Sequence, residues 1–353
     1  MLTRRALMSV AAMLPMSLGG LALAAAQPAA GALDVARLKE GYRLRIQRIL
    51  AGGVMPYVDI ESSCNAGKLD LDDLAKAMDD CQIGLMALSA DIGQGAFERG
   101  VRYEDLNTRL LQHYPDRFIP VGNGGQGPAL MEATEAFEAG EEKAIADGSV
   151  LLLGEYEFRH YPSPRQAKRG DLDRDVNVPL DGPIGHWLFA LSERTGMAFQ
   201  IHYEVEDTLL PVIEKMLTQY PRARVIWCHL AQVRYIERAA SYSATYVESL
   251  IRRFPHLMFD TAFGDATSRY PLSQQLHARI WGDGGGLKPE WLDLIVAHPD
   301  RFLSALDLGG DRLNRIHEYD AKHRLFLRCL PGDVQHQVAY RNAWRLLFNE
   351  EFA

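Results

Sequence analysis

The sequence predicts an α/β protein folded as a (β/α)8 barrel, and three observations carry that expectation. Short β-branched or apolar runs alternate with longer amphipathic stretches, the pattern of parallel strands joined by helices. The runs centre on Val58, Met86, Ile119, Leu152, Ile201, Ile226, Phe259 and Leu303, eight of them spaced by 25 to 50 residues. Eight such units favour a closed barrel over an open sheet. Val150-Leu151-Leu152-Leu153 and Val225-Ile226-Trp227 are also apolar at every position, as strands are when one face fills a barrel and the other meets helices.

The first 26 residues stand outside that pattern. Thr3-Arg4-Arg5-Ala6-Leu7-Met8 is followed by an apolar stretch from Ala6 to Ala24 and closed by Ala24-Ala25-Ala26, the charged, apolar and small-residue order of an export signal. The paired arginines point to the twin-arginine route. A retained membrane anchor is the competing reading, since the apolar run is nearly long enough to span a bilayer. The Gln27-Pro28-Ala29-Ala30-Gly31 linker that follows favours cleavage. The expected organisation is a signal over 1–26, a linker and N-terminal segment over 27–45, and a single barrel domain over 46–353. The mature protein is then periplasmic or secreted.

Within the barrel, the first strand is Pro56-Tyr57-Val58-Asp59-Ile60, running into Glu61-Ser62-Ser63. A helix follows, with Leu71, Leu74, Ala75 and Met78 apolar at i, i+3, i+4 and i+7. The second and third strands centre on Met86 and Ile119; the glycines of Gly122-Asn123-Gly124-Gly125-Gln126-Gly127 come next. Without a Lys-Ser/Thr ending they form no P-loop and read as a flexible loop. The fourth strand ends on Glu155, the fifth (Phe199-Gln200-Ile201) on His202, and the sixth (Val225-Ile226-Trp227-Cys228) on His229. The seventh centres on Phe259, and the eighth, Phe302-Leu303-Ser304-Ala305-Leu306, ends on Asp307. Two connections, Pro162 to Pro183 and Gly282 to Gly286, fall where a barrel places its active mouth. Each is a candidate lid or an ordinary surface loop.

Charge and cysteine content exclude several classes of function. Arg4 and Arg5 are the only charged side chains in residues 1–26, so cleavage takes the net charge from −8 to −10. A chain this acidic, with no Lys/Arg run, is not a nucleic-acid binder. Once cleaved it needs no membrane either. Cys64, Cys81, Cys228 and Cys329 are too scattered for a disulfide framework or a thiolate metal site.

Side chains at the C-terminal ends of barrel strands converge on one mouth. Two imidazoles and a carboxylate delivered there, His202, His229 and Asp307, can hold a metal and leave a base beside a substrate. A lone histidine is ordinarily a hydrogen-bonded core residue; two of them ending consecutive strands favour a site. Asp307 alone reads equally as a turn or helix-capping aspartate. Glu155 can ligate a metal, orient a substrate or serve as a salt-bridged rim residue. Tyr156, Arg159, His160, Tyr203 and Arg234 are the candidates for substrate contact, with His186 near the same loop.

In order and spacing these segments resemble the amidohydrolase superfamily, in particular its amidohydrolase-related TIM-barrel hydrolases and decarboxylases. His202 falls at the family's strand-five histidine, and Cys228-His229-Leu230 is similar to its strand-six His-Leu-Gly. Arg301 to Asp307 is similar to the strand-eight segment ending in aspartate. Tyr114-Pro115-Asp116-Arg117-Phe118 and Asn342-Ala343-Trp344-Arg345-Leu346-Leu347 also resemble recurrent family segments. The departure is at strand one, where the family's Asp-x-His-x-His aligns on Asp59-Ile60-Glu61-Ser62-Ser63 and both histidines are absent.

The resemblance implies a binuclear centre reduced to a single divalent metal, Zn²⁺ or Mn²⁺. His202, His229, Glu155 and Asp307 would hold it, with Glu61 as replacement ligand and Asp307 and His229 as catalytic groups. Glu155 is similar to the strand-four glutamate of TatD-type hydrolases. The expected reaction is hydrolysis of an amide, lactone or ester bond in a small molecule, with decarboxylation the variant and a homodimer the common assembly. A metal-free lactonase and a non-catalytic small-molecule-binding barrel are the alternatives. If one metal is held, the functional atoms of Glu61, Glu155, His202, His229 and Asp307 approach a common point within roughly 5 Å.

Overall fold

The computed structural model describes residues 33–353 apart from 65, 93–102, 123, 126–129, 131–133, 171, 173–174 and 310–311. The expected export signal lies outside the described residues. Among the described residues, no helix is long and apolar enough to cross a membrane.

Among the described residues ten strands are formed: β1 Val58–Cys64, β2 Leu85–Ile92, β3 Phe118–Ile119, β4 Gly124–Gly125, β5 Leu153–His160, β6 Val176–Asn177, β7 Phe199–Tyr203, β8 Val225–Trp227, β9 Leu257–Asp260 and β10 Phe302–Leu303. β4 only extends the pairing of β2, and β6 lies antiparallel on the end of β5. The other eight match the eight expected runs and pair in parallel, β1 with β2 and β2 with β3, then β5, β7, β8, β9 and β10 in turn. Two seams join these sheets. Leu151 N–H donates to Pro120 O (2.9 Å) and Gly122 N–H to Leu152 O (2.8 Å), bringing β3 beside β5. Ile60 N–H donates to Ser304 O (3.0 Å), Asp307 N–H to Glu61 O (3.0 Å) and Ser63 N–H to Leu308 O (2.7 Å), bringing β1 beside β10. The ring of parallel strands is a TIM barrel.

Buried side chains hold that last seam. Asp59 is fully buried and accepts from Leu306 N–H (2.9 Å), Glu61 N–H (3.3 Å) and the Ser62 hydroxyl (2.6 Å). Ser62 Oγ in turn accepts from Leu308 N–H at 3.2 Å. This wiring decides which way the first strand's carboxylates face. Asp59 is spent on the seam, and Glu61 is left for the mouth.

The structure moves the expected domain boundary. Residues Val35–Ala51 form one helix, capped by Asp34, whose side chain accepts from Arg37 N–H. The boundary expected after residue 45 would cut through it. The buried Arg45 guanidinium donates to Gly84 O (2.8 Å) and Ile83 O (2.9 Å), and the Tyr42 hydroxyl donates to Phe118 O. Those carbonyls lie at the N-terminal ends of β2 and β3, so the helix covers the bottom of the barrel and belongs to the domain.

His323, on the helix Ile316–Arg328, is buried against the same seam. Its Nε2 lies 2.9 Å from Ser304 Oγ, and its ring meets Tyr57 edge-on at 4.7 Å. Burial, then the charge of Arg324, pushes its pKa down to about 3. The folded pKa is thus depressed below the unfolded value of about 6.5, so the unfolded chain binds the extra proton. The stabilisation is complete above about pH 6.5 and is lost as pH falls toward 3, at about 1.4 kcal/mol per pH unit for this one proton. In urea unfolding at pH 7 and 4.5, His323→Gln is expected to show a smaller stability difference between the two pH values than the wild type. An equal difference would contradict this role.

Candidate metal centre

Strand alternation places the site. In β7, Phe199 and Ile201 face the helices, while Gln200, His202 and, just beyond the strand, Glu204 face inward. Phe199 meets the helix residue Phe189 at 5.1 Å, and Gln200 Nε2 crosses the interior to Ile60 O. β5 runs to His160, so Glu155 is its third residue and does not end it, contrary to expectation. The register with β7 slips between Leu153 and Tyr156 and again between Glu157 and Arg159. Glu155, Glu157 and His160 consequently line the mouth cavity.

Three expected ligands meet there. Glu155 Oε1 is 3.0 Å from His202 Nδ1 and 3.2 Å from His229 Nε2, and these two nitrogens are 3.0 Å apart. Donor atoms held by one ion at about 2.0–2.2 Å lie about 2.8–3.6 Å from each other, so the triangle has the size a divalent cation requires. The outer nitrogens also have partners. His229 Nδ1 lies 2.9 Å from Ala262 O and His202 Nε2 lies 3.2 Å from Glu204 Oε1. His229 has φ +64°, a left-handed conformation that a non-glycine residue adopts at some cost. Asp260 Oδ1 holds that turn by accepting from His229 N–H (2.8 Å) and Ala262 N–H (3.1 Å).

The charges in the triangle offset one another. Burial works against protonating His229, but the hydrogen bond to Glu155 and the charges of Asp260 and Glu155 outweigh it and raise its pKa to about 10. Burial opposes a proton on His202 too, and Glu155 again reverses the sign. Burial resists ionisation of Glu155, yet the two imidazoles hold its carboxyl well below the usual range. An inserted divalent cation would take over the role of those imidazole protons.

Glu61 and Asp307 take different places. Donor atoms of Glu61, His229 and Asp260 lie within 4.8 Å of one another, a second group sharing His229 with the first. Glu61 Oε2 is buried without a hydrogen-bond partner. Burial, followed by the charges of Glu155, Asp307, Asp260 and Asp59, pushes its carboxyl well above the usual range. Asp307 lines the same cavity but stands outside both groups. Its backbone is left-handed (φ +50°), and Arg312 Nη2 donates to its Oδ1 at 2.8 Å. The expected common point for all five side chains is therefore replaced by a triangle, an adjoining acid pair and an aspartate on the rim.

Of the expected substrate contacts, His160 lines the cavity, with its ring 4.3 Å from that of His202, and Arg234 lines it as well. Three others do not. Tyr156 is fully buried with its ring edge-on to Phe137 at 5.5 Å, in the helix layer. Tyr203 is buried beside Trp227. Arg159 is engaged by Asp175 and Glu206 and stacks 3.9 Å over the Tyr161 ring. Tyr156 and Tyr203 neighbour inward-facing residues, and period-two alternation sends them to the other side; Arg159 follows the register slip after Glu157. His186 is bonded to the Tyr220 hydroxyl at 2.9 Å, away from the mouth. Glu204 and Asp260 were not anticipated. Counting two residues on from His202 would have found Glu204; Asp260, one residue past the centre of the seventh strand, carried no signal of its own.

No family profile matches the sequence, and no curated protein matches it. Solved structures do. A 2,6-dihydroxybenzoate decarboxylase, determined with 2,6-dihydroxybenzoate, aligns at TM-score 0.50 and 14% identity over 83% of this chain and 99% of its own. A candidate 2-pyrone-4,6-dicarboxylic acid hydrolase from Pseudomonas putida aligns at TM-score 0.50 and 13% identity over 82% of this chain and 97% of its own. These two likenesses show the fold, a TIM barrel like theirs. A candidate amidohydrolase from Staphylococcus aureus also matches, at 16% identity, TM-score 0.49, and 83% and 99% coverage. In this barrel Glu61 stands at the strand-one position where the resemblance leads one to expect a histidine, with its carboxylate within 4.8 Å of a His229 ring nitrogen.

Proposed function

We propose that the chain is an exported, metal-dependent enzyme that hydrolyses an amide, lactone or ester bond of a small molecule, with decarboxylation as the variant reaction on the same barrel. The observation that carries this reading is the triangle of Glu155 Oε1, His202 Nδ1 and His229 Nε2, with edges of 3.0 to 3.2 Å, at the strand-end mouth. These three would hold one Zn²⁺ or Mn²⁺, with Glu61 a further carboxylate beside His229. When bound, the ion supplies Lewis acidity, polarising a substrate oxygen and acidifying water. The remaining work falls to the chain's own side chains. Asp307, kept on the rim by Arg312, is placed to accept a proton from water or substrate. Glu155 balances the charge of the imidazoles, and His160 and Arg234 contribute to the wall that a substrate meets.

Purified protein supplemented with Mn²⁺ or Zn²⁺, then freed of excess ion, is expected to retain about one equivalent per chain by elemental analysis. Folded protein that retains none would refute the metal-dependent reading. A metal-free lactonase would instead keep its activity under chelation and lose it in Asp307→Asn.

A further inference from the structure

We infer that His277 is a further residue of the mouth, placed to hydrogen-bond a polar group of the bound substrate through its Nε2. That contact rests on the function proposed above; the free imidazole does not. His277 lies in the connection between β9 and β10 and lines the same cavity as Glu155, His202, His229 and Asp307. The residue is buried, yet its Nδ1 is sealed without a hydrogen-bond partner, and no partner holds Nε2 among the described residues. Buried polar side-chain atoms are nearly always paired, so an unpaired imidazole in a cavity wall calls for a reason. With Nδ1 sealed, Nε2 is the nitrogen left to meet a ligand.

The backbone holds this ring in place without using its nitrogens. Val233 N–H donates to His277 O (2.8 Å) and Arg279 N–H to Ala231 O (2.9 Å), with Gln232 and Ala278 bridged antiparallel between them. One side of this short ribbon is the chain that leaves His229, so His277 is fixed relative to the proposed metal centre. His277 N–H also donates to Ser268 O at 3.3 Å. Gly264 leaves space beside the ring: it has φ +67°, and a Cβ there would stand 3.4 Å from His277 Nε2 and 3.1 Å from Ser268 Oγ. Burial, then the charge of Arg234, pushes the pKa of His277 down to about 4. At pH 7 the ring is therefore neutral and carries one N–H donor and one lone pair.

Diethylpyrocarbonate, which acylates unprotonated imidazole nitrogens, tests the free ring on folded wild type at pH 7, with labelled sites mapped by mass spectrometry. His277 is expected to be labelled, as is the exposed His113, and at the same rate with and without Mn²⁺. His277 left unlabelled while His113 reacts, or shielded by Mn²⁺ alone, would overturn the inference. Because wild type alone can refute it, a variant that fails to fold does not remove the test. The contact is tested on Mn²⁺-dependent hydrolysis of p-nitrophenyl acetate. His277→Leu is expected to lower kcat/KM about 3- to 10-fold, the worth of one hydrogen bond, with the Kd for Mn²⁺ unchanged. His277→Gln, which keeps an N–H, should lose less. Wild-type kcat/KM in His277→Leu, or a parallel loss of Mn²⁺ affinity, would overturn the contact. Wild type that is labelled at His277 but does not hydrolyse the probe would overturn the ester reading and with it the contact, and leave the free imidazole standing.

Discussion

Replacing His229 by alanine is expected to weaken Mn²⁺ or Zn²⁺ binding by about 10²–10³-fold. Four-ligand zinc sites carry about 10–16 kcal/mol of binding free energy, or about 3–4 kcal/mol per ligand, and each 1.4 kcal/mol is a tenfold change. His229 is the more exposed test of the site because it is the one side chain common to both donor groups, the Glu155–His202 pair and the Glu61–Asp260 pair. His202→Ala should weaken binding by a similar factor. Tyr156→Phe and Tyr203→Phe serve as controls, and both should bind metal as the wild type does, since their rings face the helix layer. Calorimetric titration of the apoprotein reads all four. Unchanged affinity in His229→Ala would show that the triangle does not hold the ion.

Asp59→Ala is expected to cost about 3–5 kcal/mol of folding stability. The carboxylate accepts from Leu306 N–H across the β1–β10 seam and, within β1, from Glu61 N–H and the Ser62 hydroxyl, all buried. Each buried donor left without a partner costs about 1–3 kcal/mol. Asp59→Asn, which keeps one carbonyl acceptor, should cost clearly less. Urea unfolding at pH 7 measures both, and a loss below about 1 kcal/mol for the alanine variant would show that the seam does not depend on this side chain. Metal affinity should fall with stability in Asp59→Ala, because the same seam sets the places of Glu61 and Asp307 at the mouth.

The barrel was legible because its signal is periodic and local. Eight apolar runs with helical stretches between them can be read from neighbours in sequence, and all eight became parallel strands. His202 and His229 were legible for the same reason, as polar residues ending apolar runs. Tyr156 and Tyr203 stand next to the inward-facing Glu155 and His202, and a strand presents only every second residue to the same side. Glu204, two beyond His202, was the better choice. The boundary expected at residue 45 falls inside the helix Val35–Ala51, whose Arg45 is tied to the domain by the carbonyls of Ile83 and Gly84, contacts that neighbours in sequence do not show.

By itself, then, the sequence determined the eight-strand barrel, the two histidines at its mouth and the absence of histidine from the first strand. Tertiary structure alone decided what became of the carboxylates. Asp59, Glu61, Glu155, Asp260 and Asp307 are alike in sequence, each an acid at or near a strand end. The fold gives one to the seam, one to the imidazoles, one to a left-handed turn, one to an arginine on the rim, and leaves Glu61 beside His229 with an oxygen that has no hydrogen-bond partner among the described residues. The physical reason is that the role of a buried acid is set by whichever donor or positive charge lies within about 3–4 Å of it, and those partners lie up to 247 residues away along the chain.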